Sequence, residues 1–220
     1  MTTIRQDRLT TEFESRFMNV YEYPFGENGH YYTASRRKRE DLVMFKTDKE
    51  YKEMIPDAVT MAVVLKFKDE EPKLLLNYEF RYATARYILA PPAGLIDEED
   101  RKEDSPIISA AIREVREETG IIVKESDKVR IVNPLLFSSP GMTDEGNAIV
   151  CVVIEDTDIS QLNHDGVIGS EEFDGFELLT IEEAKKVLAE GRDKYGNYFS
   201  VYTYICLVHF ISQSWEEEPI

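Results

Sequence analysis

The stretch SPIISAAIREVREETGI, residues 105–121, decides the fold of this chain. Ser105 can cap a helix, Pro106 suits the first helical position, and Gly120 suits the residue just past the end. These signals predict a helix between Ser105 and Gly120. Its apolar residues recur at the i, i+3, i+4, i+7 spacing of a stripe that faces a core. The predicted stripe consists of Ile108, Ala111, Ile112 and Val115.

Three glutamates of this helix, Glu114, Glu117 and Glu118, are spaced i, i+3, i+4, so their carboxylates converge on one face. Like charges at these spacings destabilise a helix, and near its C-terminus they also oppose the helix dipole. The pattern is explained if a hard divalent cation binds among them, because Mg²⁺ prefers carboxylate oxygens. The alternative is a solvated acidic face.

Strand patterns lie on both sides of the helix, which predicts an α/β fold. Thr180 and Glu183 form a capping box, and Gly191 is a stop signal, so they predict a second helix over 181–190. Residues 198–208 have helical spacing, with a strand as the alternative because of their β-branched and aromatic content. The predicted strands are 59–67, 74–78, 87–89, 131–137, 148–154 and 176–179.

The N-terminal region alternates aromatic and polar residues over 13–33, interrupted by the turn formers Gly26, Asn28 and Gly29, which indicates a small β hairpin. The basic run 36–39 is interpreted as solvated surface. A charged stretch ending at Pro56 marks a boundary. We therefore predict a small β region at residues 1–55 and a main domain at 56–220.

The chain is acidic, with 43 Asp and Glu against 26 Lys and Arg in 220 residues and a net charge of -17. This charge repels nucleic-acid backbones and anionic membranes, so neither is an expected partner. A small phosphorylated ligand stays compatible if metal ions supply positive charge. Cys151 and Cys206 lie in apolar runs and are expected to be buried free thiols. Without an apolar leader or a long apolar span, the expected location is cytoplasmic.

The string Arg113–Ile121, together with Gly94, resembles the Nudix box, whose second half reads Arg-Glu-aliphatic-x-Glu-Glu-x-Gly-aliphatic. The resemblance implies an α/β/α sandwich with a mixed β-sheet and a helix whose glutamates hold Mg²⁺ or Mn²⁺ on a diphosphate. By position, it assigns Glu114 and Glu118 as the principal metal ligands and Glu117 as a third. Glu117 and Glu118 are also expected to be catalytic.

The loop before the helix departs from the family pattern by five extra residues between Gly94 and Arg113. The added length leaves open which carboxylate replaces the first glutamate of the box. The candidates are Glu98, Glu99, Asp100 and Glu103.

Residues 78–82 and 90–97 resemble the ADP-ribose pyrophosphatase branch of this family. That match implies that Arg81 contacts the substrate and that the carbonyl of Ala93 is a metal ligand. Further along the chain, a Ser-Pro-Gly loop resembles the corresponding loop of the same branch. The substrate-binding residues that this match predicts are Ser139, Gly141 and Glu145. The alternative for this loop is a simple turn.

The branch also takes a catalytic glutamate from a loop before a late strand, where Glu171 and Glu172 are equal candidates. The resemblance implies hydrolysis of ADP-ribose to AMP and ribose 5-phosphate, and a homodimer built by the N-terminal β region. The alternatives are another nucleoside diphosphate sugar such as GDP-mannose, or a non-catalytic nucleotide-binding domain.

Overall fold

The structure is a computed structural model, and it describes residues 4–167 and 171–216. The chain forms two compact units. The small unit contains Met1–Asp57 together with Leu135–Asn147, and the large unit contains Ala58–Pro134 and Ala148–Ile220. The sequence indicated a boundary near residue 56, but it gave no sign that residues 135–147 belong with the N-terminal unit.

The small unit is built on a three-stranded antiparallel sheet of β1 (Thr10–Glu14), β2 (Asn19–Phe25) and β3 (Gly29–Ser35). The predicted hairpin is the β2–β3 pair, and Gly26 takes a left-handed φ of 59° in its turn. A short helix, α1 (Asp48–Lys52), begins at a capping box formed by Thr47 and Glu50.

The basic run of the small unit is only partly solvated, so its prediction as open surface was wrong for Arg37. The Arg37 guanidinium donates from Nη2 to both Asp57 oxygens at 2.7 Å, and its side chain is only 13% exposed. Its Nη1 lies 3.3 Å from Asp144. Arg37 is therefore a partly buried ion-pair residue.

Most residues of a seven-stranded mixed β-sheet belong to the large unit. Five strands lie in the order β10-β5-β4-β9-β8, while β6 pairs with β5 and β7 pairs with β4. The strands are β4 (Ala58–Leu65), β5 (Lys73–Arg81), β6 (Arg86–Ala90), β7 (Ala93–Leu95), β8 (Lys128–Phe137), β9 (Gly146–Ile154) and β10 (Phe173–Leu179).

Side chains alternate across this sheet and supply two separate cores. In β4, Val59, Met61 and Val63 pack on the side of the helix α2 (Pro106–Thr119), whereas Val64 packs on the opposite side. The opposite side is covered by α3 (Ile181–Glu190) and α4 (Val201–Ile211). The α/β/α sandwich predicted from the sequence is confirmed.

The helix α2 lies within the predicted limits, and Gly120 ends it with a left-handed φ of 74°. Ser105 precedes it without a side-chain capping bond. Ala111 and Val115 are buried as predicted, but Ile112 is 36% exposed, so its place in the core stripe was wrong. Polar Glu114 and Glu118 lie on the buried side instead.

The helix α4 resolves the alternative between helix and strand at residues 198–208 in favour of helix. On this helix Val201 and Val208 are exposed, while Cys206, Leu207 and Phe210 are buried. Both cysteines are buried free thiols, as expected. Among the described residues, no helix is long and apolar enough to cross a membrane.

Candidate metal and active site

Glu118 is held at the centre of the site by two strands that both pair with β4. Its Oε2 accepts a hydrogen bond from Asn77 Nδ2 of β5 at 2.7 Å, and its Oε1 accepts one from the Ala93 amide of β7 at 3.2 Å. The side chain is almost completely buried. Burial raises the pKa of Glu118 well above its ordinary value, and the charges of Glu114 and Glu171 raise it further.

Glu114 lies against the backbone of β7 at Gly94. A Cβ atom at position 94 would lie 2.0 Å from the carboxylate carbon of Glu114, which only glycine avoids. Gly94 pairs with Val59 of β4, so the sheet fixes this close approach. The opening glycine of the motif thus provides the space in which the helix carboxylate lies.

Arg113 joins the helix to the loop before it. Its Nη1 donates to Glu114 at 2.7 Å and to Glu117 at 3.0 Å, while its Nη2 donates to Asp100 at 2.8 Å. Nη2 also donates to the Leu95 carbonyl at 2.8 Å. Among the four acidic candidates in the longer loop, Asp100 is therefore the one that contacts the helix arginine. Glu98, Glu99 and Glu103 are exposed.

Asn77 and Glu79 also belong to this cluster, although no sequence motif assigned either of them a role. Both are buried, and they share the face of β5 on which Leu75 packs toward α2. Glu79 Oε2 lies 2.5 Å from Arg81 Nη2. The sequence did contain a signal for them, namely two polar residues two positions apart in an otherwise apolar strand.

The two loop glutamates have different surroundings. Glu172 accepts a hydrogen bond from Tyr87 Oη at 2.5 Å, and its carbonyl accepts the Phe80 amide at 2.8 Å. Glu171 instead faces the acidic cluster: its charge raises the pKa of Glu79, Glu114 and Glu118. Burial also raises the pKa of Glu171 itself. The structure thus separates two residues that the sequence left equivalent.

The cluster holds more negative charge than its arginines balance. Burial raises the pKa of Glu79 to about 7 and that of Glu114 to about 7, despite the opposing charges of Arg81 and Arg113. Without another cation, such carboxylates hold protons in this pH range. Carboxylates that hold protons in the metal-free state can exchange them for a divalent cation.

The donor set fits a hard divalent cation, since all the candidate ligands present oxygen atoms. Asn77 Oδ1 is buried and has no hydrogen-bond partner among the described residues, so the pocket also contains an unsatisfied oxygen. Within 4–167 and 171–216, no three Asp, Glu, His or Cys side chains are grouped tightly enough to hold a cation as they stand. Glu114 and Glu117 are hydrogen bonded to Arg113 instead.

The Ser-Pro-Gly loop lies in the small unit. Its backbone forms the turn named as an alternative, with the amides of Met142 and Thr143 both donating to the Ser139 carbonyl at 2.8 Å. Glu145 pairs with Arg36 at 3.0 Å, and there is open space around Gly141. Substrate binding by Ser139, Gly141 and Glu145 stays a prediction, as do the ligand roles assigned to the large unit.

Comparison with known proteins gives a family and a fold. The sequence profile of the NUDIX domain matches residues 54–199. The ADP-ribose pyrophosphatase of Bacillus subtilis is 31% identical over 140 residues, which are 64% of this chain and 66% of that protein. An uncharacterized Nudix hydrolase of Schizosaccharomyces pombe is 32% identical over 105 residues, covering 48% of this chain and 45% of that protein.

Three of the curated relatives are matched over less than half of their own length, namely 45%, 45% and 39%. The crystal structure of an ADP compounds hydrolase aligns with a TM-score of 0.54 over 94% of this chain and 90% of that chain, at 19% identity. At this identity the alignment supports the fold alone. The profile match over residues 54–199 carries the family assignment.

Proposed function

Because the chain belongs to the Nudix hydrolase family, we propose that it hydrolyses the phosphoanhydride bond of ADP-ribose, giving AMP and ribose 5-phosphate. The observation that carries this proposal is the buried carboxylate cluster at Glu114 and Glu118, which Arg113 compensates only in part and which lies against the backbone of Gly94. The choice of ADP-ribose is supported by the 31% identity to the Bacillus subtilis ADP-ribose pyrophosphatase. Nudix hydrolases generally use divalent metal ions, and we propose Mg²⁺ or Mn²⁺ here.

The cation, when bound, neutralises diphosphate charge and lowers the pKa of an attacking water. Glu114, Glu117 and Glu118 would hold it, with the carbonyl of Ala93 as a further oxygen ligand. Asn77 and the Ala93 amide keep the Glu118 carboxylate oriented, since each donates to one of its oxygens. Arg113 restrains Glu114 and Glu117 through one nitrogen.

Two further residues of the large unit take part in this proposal. Arg81 is half-exposed and can donate to a substrate phosphate from its guanidinium, in addition to its pair with Glu79. Glu171 accepts the proton of the attacking water, because its carboxylate has a raised pKa beside the cluster. Glu172 has a structural role through its bond to Tyr87.

The test is product analysis with the full chain and ADP-ribose, in Mg²⁺ and in excess chelator. We expect AMP and ribose 5-phosphate in equal amounts with Mg²⁺, and no turnover with chelator. GDP-mannose serves as a second substrate of the same bond type. Cleavage of GDP-mannose alone would replace the proposed substrate, and binding of ADP-ribose without cleavage of any diphosphate would leave the non-catalytic alternative.

The proposal extends to assembly and location as the sequence predicted them. We propose a homodimer built through the small unit, tested by sedimentation of the full chain, with a monomer at micromolar concentration as the contradicting result. A cytoplasmic location stays a prediction for imaging of the tagged protein.

A further inference from the structure

The segment Gln161–Val167 lies along the C-terminal end of α2. The backbone amide of Asn163 donates to the Thr119 carbonyl at 3.1 Å, and His164 Nδ1 lies 2.7 Å from the Glu118 carbonyl oxygen. Because a carbonyl only accepts, Nδ1 carries a hydrogen and is the donor in this contact. Both bonds satisfy carbonyls that the end of a helix leaves without internal partners.

The imidazole ring of His164 is stacked on two residues of β10. Its centroid lies 4.0 Å from that of Phe176 with the planes 19° apart, and 4.8 Å from that of Phe173 with the planes 9° apart. The same side chain thus contacts the helix through a nitrogen and the edge strand through its faces. His164 is unused in the proposed mechanism.

The two phenylalanines stand opposite the polar residues of the site. Phe173 pairs with Glu79 and Phe176 pairs with Asn77 across the β10–β5 ladder, which is interrupted by a bulge between them. Asn77 in turn donates to the Glu118 carboxylate. The main-chain carbonyl of Glu118 therefore contacts His164, which stacks on β10. The side-chain carboxylate of Glu118 contacts Asn77 of β5, the strand that pairs with β10.

We propose that His164 is a positioning residue that fixes the Glu118 end of α2 relative to the start of β10, where Glu171 stands. The inference rests on the proposed function for the role of Glu171, and it goes beyond it by assigning the contact that sets the spacing between metal-binding helix and loop glutamate. Rate depends steeply on such spacing, because a displacement of about 1 Å costs roughly a hundredfold.

A substitution at Gly166 is a second way to disturb the contact between this segment and α2. A Cβ atom there would lie 2.7 Å from the Glu117 carbonyl oxygen and 2.8 Å from the Glu117 Cα, so Gly166→Ala must push the segment away from the helix. Its neighbour Asp165 is exposed. Asp165→Asn is therefore the matched control within the same segment.

Three variants separate the two contacts of the imidazole. His164→Asn keeps a donor in the Nδ1 position without a ring, His164→Phe keeps a ring without a donor, and His164→Ala removes both. We expect kcat for ADP-ribose to fall about tenfold or more in His164→Ala and Gly166→Ala, and less in His164→Asn and His164→Phe. KM should stay within about twofold, since the substrate contacts are unchanged. Unchanged kcat in His164→Ala would overturn the proposal.

A double-variant cycle identifies the residue through which His164 acts. In the Glu171→Gln background, His164→Ala should lower kcat no further, because no loop carboxylate remains whose position His164 could set. The same loss in both backgrounds would show a general structural effect and overturn the positioning role.

Hydrogen exchange tests the contact without any substrate. The Phe80 amide donates to the Glu172 carbonyl at 2.8 Å, so its exchange reports whether the start of β10 stays paired with β5. We expect faster exchange in His164→Ala and an unchanged rate in Asp165→Asn. If the wild type cleaves no diphosphate, the proposed function fails while this measurement still decides the contact: unchanged exchange in His164→Ala would overturn it.

Discussion

Each unit of this protein contains a group of shielded acidic side chains, but the two groups are balanced differently. In the small unit, Asp57 and Asp144 share the guanidinium of Arg37, and backbone amides of Gly146 and Val43 supply further donors. In the large unit, the carboxylates around Glu118 outnumber the arginines beside them, and burial raises their pKa values.

The difference separates a structural ion pair from a binding site. A shielded carboxylate that has its own cation and donors stabilises one conformation. A group with surplus carboxylates must bind protons or a foreign cation, and perturbed pKa values of this kind mark functional sites. Removing a charge should therefore have opposite consequences for stability in the two units.

The largest effect is expected for Glu118→Gln in the large unit. We expect kcat for ADP-ribose to fall about a thousandfold, because the metal ion that neutralises the diphosphate charge would lose a central carboxylate ligand. The metal-free variant should melt at the same temperature as the wild type or higher, because a neutral amide replaces a buried carboxyl group whose ionised form is unfavourable there. Glu190→Gln, an exposed position on α3, is the control. A large loss of stability in Glu118→Gln would contradict the difference proposed between the acidic groups of the two units.

The opposite pattern is expected for Arg37→Met in the small unit. Unpaired Asp57 and Asp144 would be left shielded from solvent, so we expect a loss of about 3 kcal/mol in the free energy of unfolding. Hydrogen exchange of the β2 amides in urea measures this loss. Arg39→Met, at a more exposed arginine, should change stability by less than about 0.5 kcal/mol. Equal losses in the two variants would remove the distinction drawn for Arg37.

A smaller effect is expected when the space around Glu114 is filled. Gly94→Ala places a methyl group where the Glu114 carboxylate now lies, and the paired strand β7 limits relief. We expect Mn²⁺ affinity to fall about tenfold to a hundredfold. Leu95→Ala, at the next and exposed side chain, should leave the affinity unchanged. Affinity unaltered in Gly94→Ala would show that Glu114 does not bind the cation from this position.

The smallest effect is a change in the pH dependence of stability. Burial raises the pKa of Glu79 to about 7, above its unfolded value, so its contribution to stability is present below about pH 4.5 and is lost as pH rises through 7. The metal-free wild type should therefore melt at lower temperature at pH 8 than at pH 5. Glu79→Gln should show a shallower decline, and a slope equal to that of the wild type would contradict the assigned burial effect.

The parts of this fold that the sequence predicted well are those with local signals. The helix α2 was bounded by Ser105, Pro106 and Gly120, and α3 by a capping box and Gly191, because caps and stops act within a few residues. The faces of α4 could not be read in this way. Its apolar residues occur on every side, so packing against the sheet, rather than periodicity, selects Leu207 and Phe210 for the core.

The residues of the candidate site can be proposed from the sequence where a motif is continuous, but not where they come together through strand pairing. The helix glutamates follow from nine consecutive residues, whereas Asn77 and Glu79 join them only because β5 pairs with β10 and β4. The loop residues Glu171 and Glu172 look alike in sequence, but backbone pairing at Phe80 and the bond from Tyr87 distinguish them. Asp100 was one of four candidates until the loop conformation brought it to Arg113.

The cation site around Glu118 can be tested by titrating the full chain with Mn²⁺ at pH 7.5, with electron paramagnetic resonance detecting the unbound ion. We expect the wild type to remove the free-ion signal and Glu118→Gln to bind Mn²⁺ at least about tenfold more weakly. Equal binding by the two proteins, or no binding by the wild type, would contradict the assignment of the surplus carboxylates as a cation site.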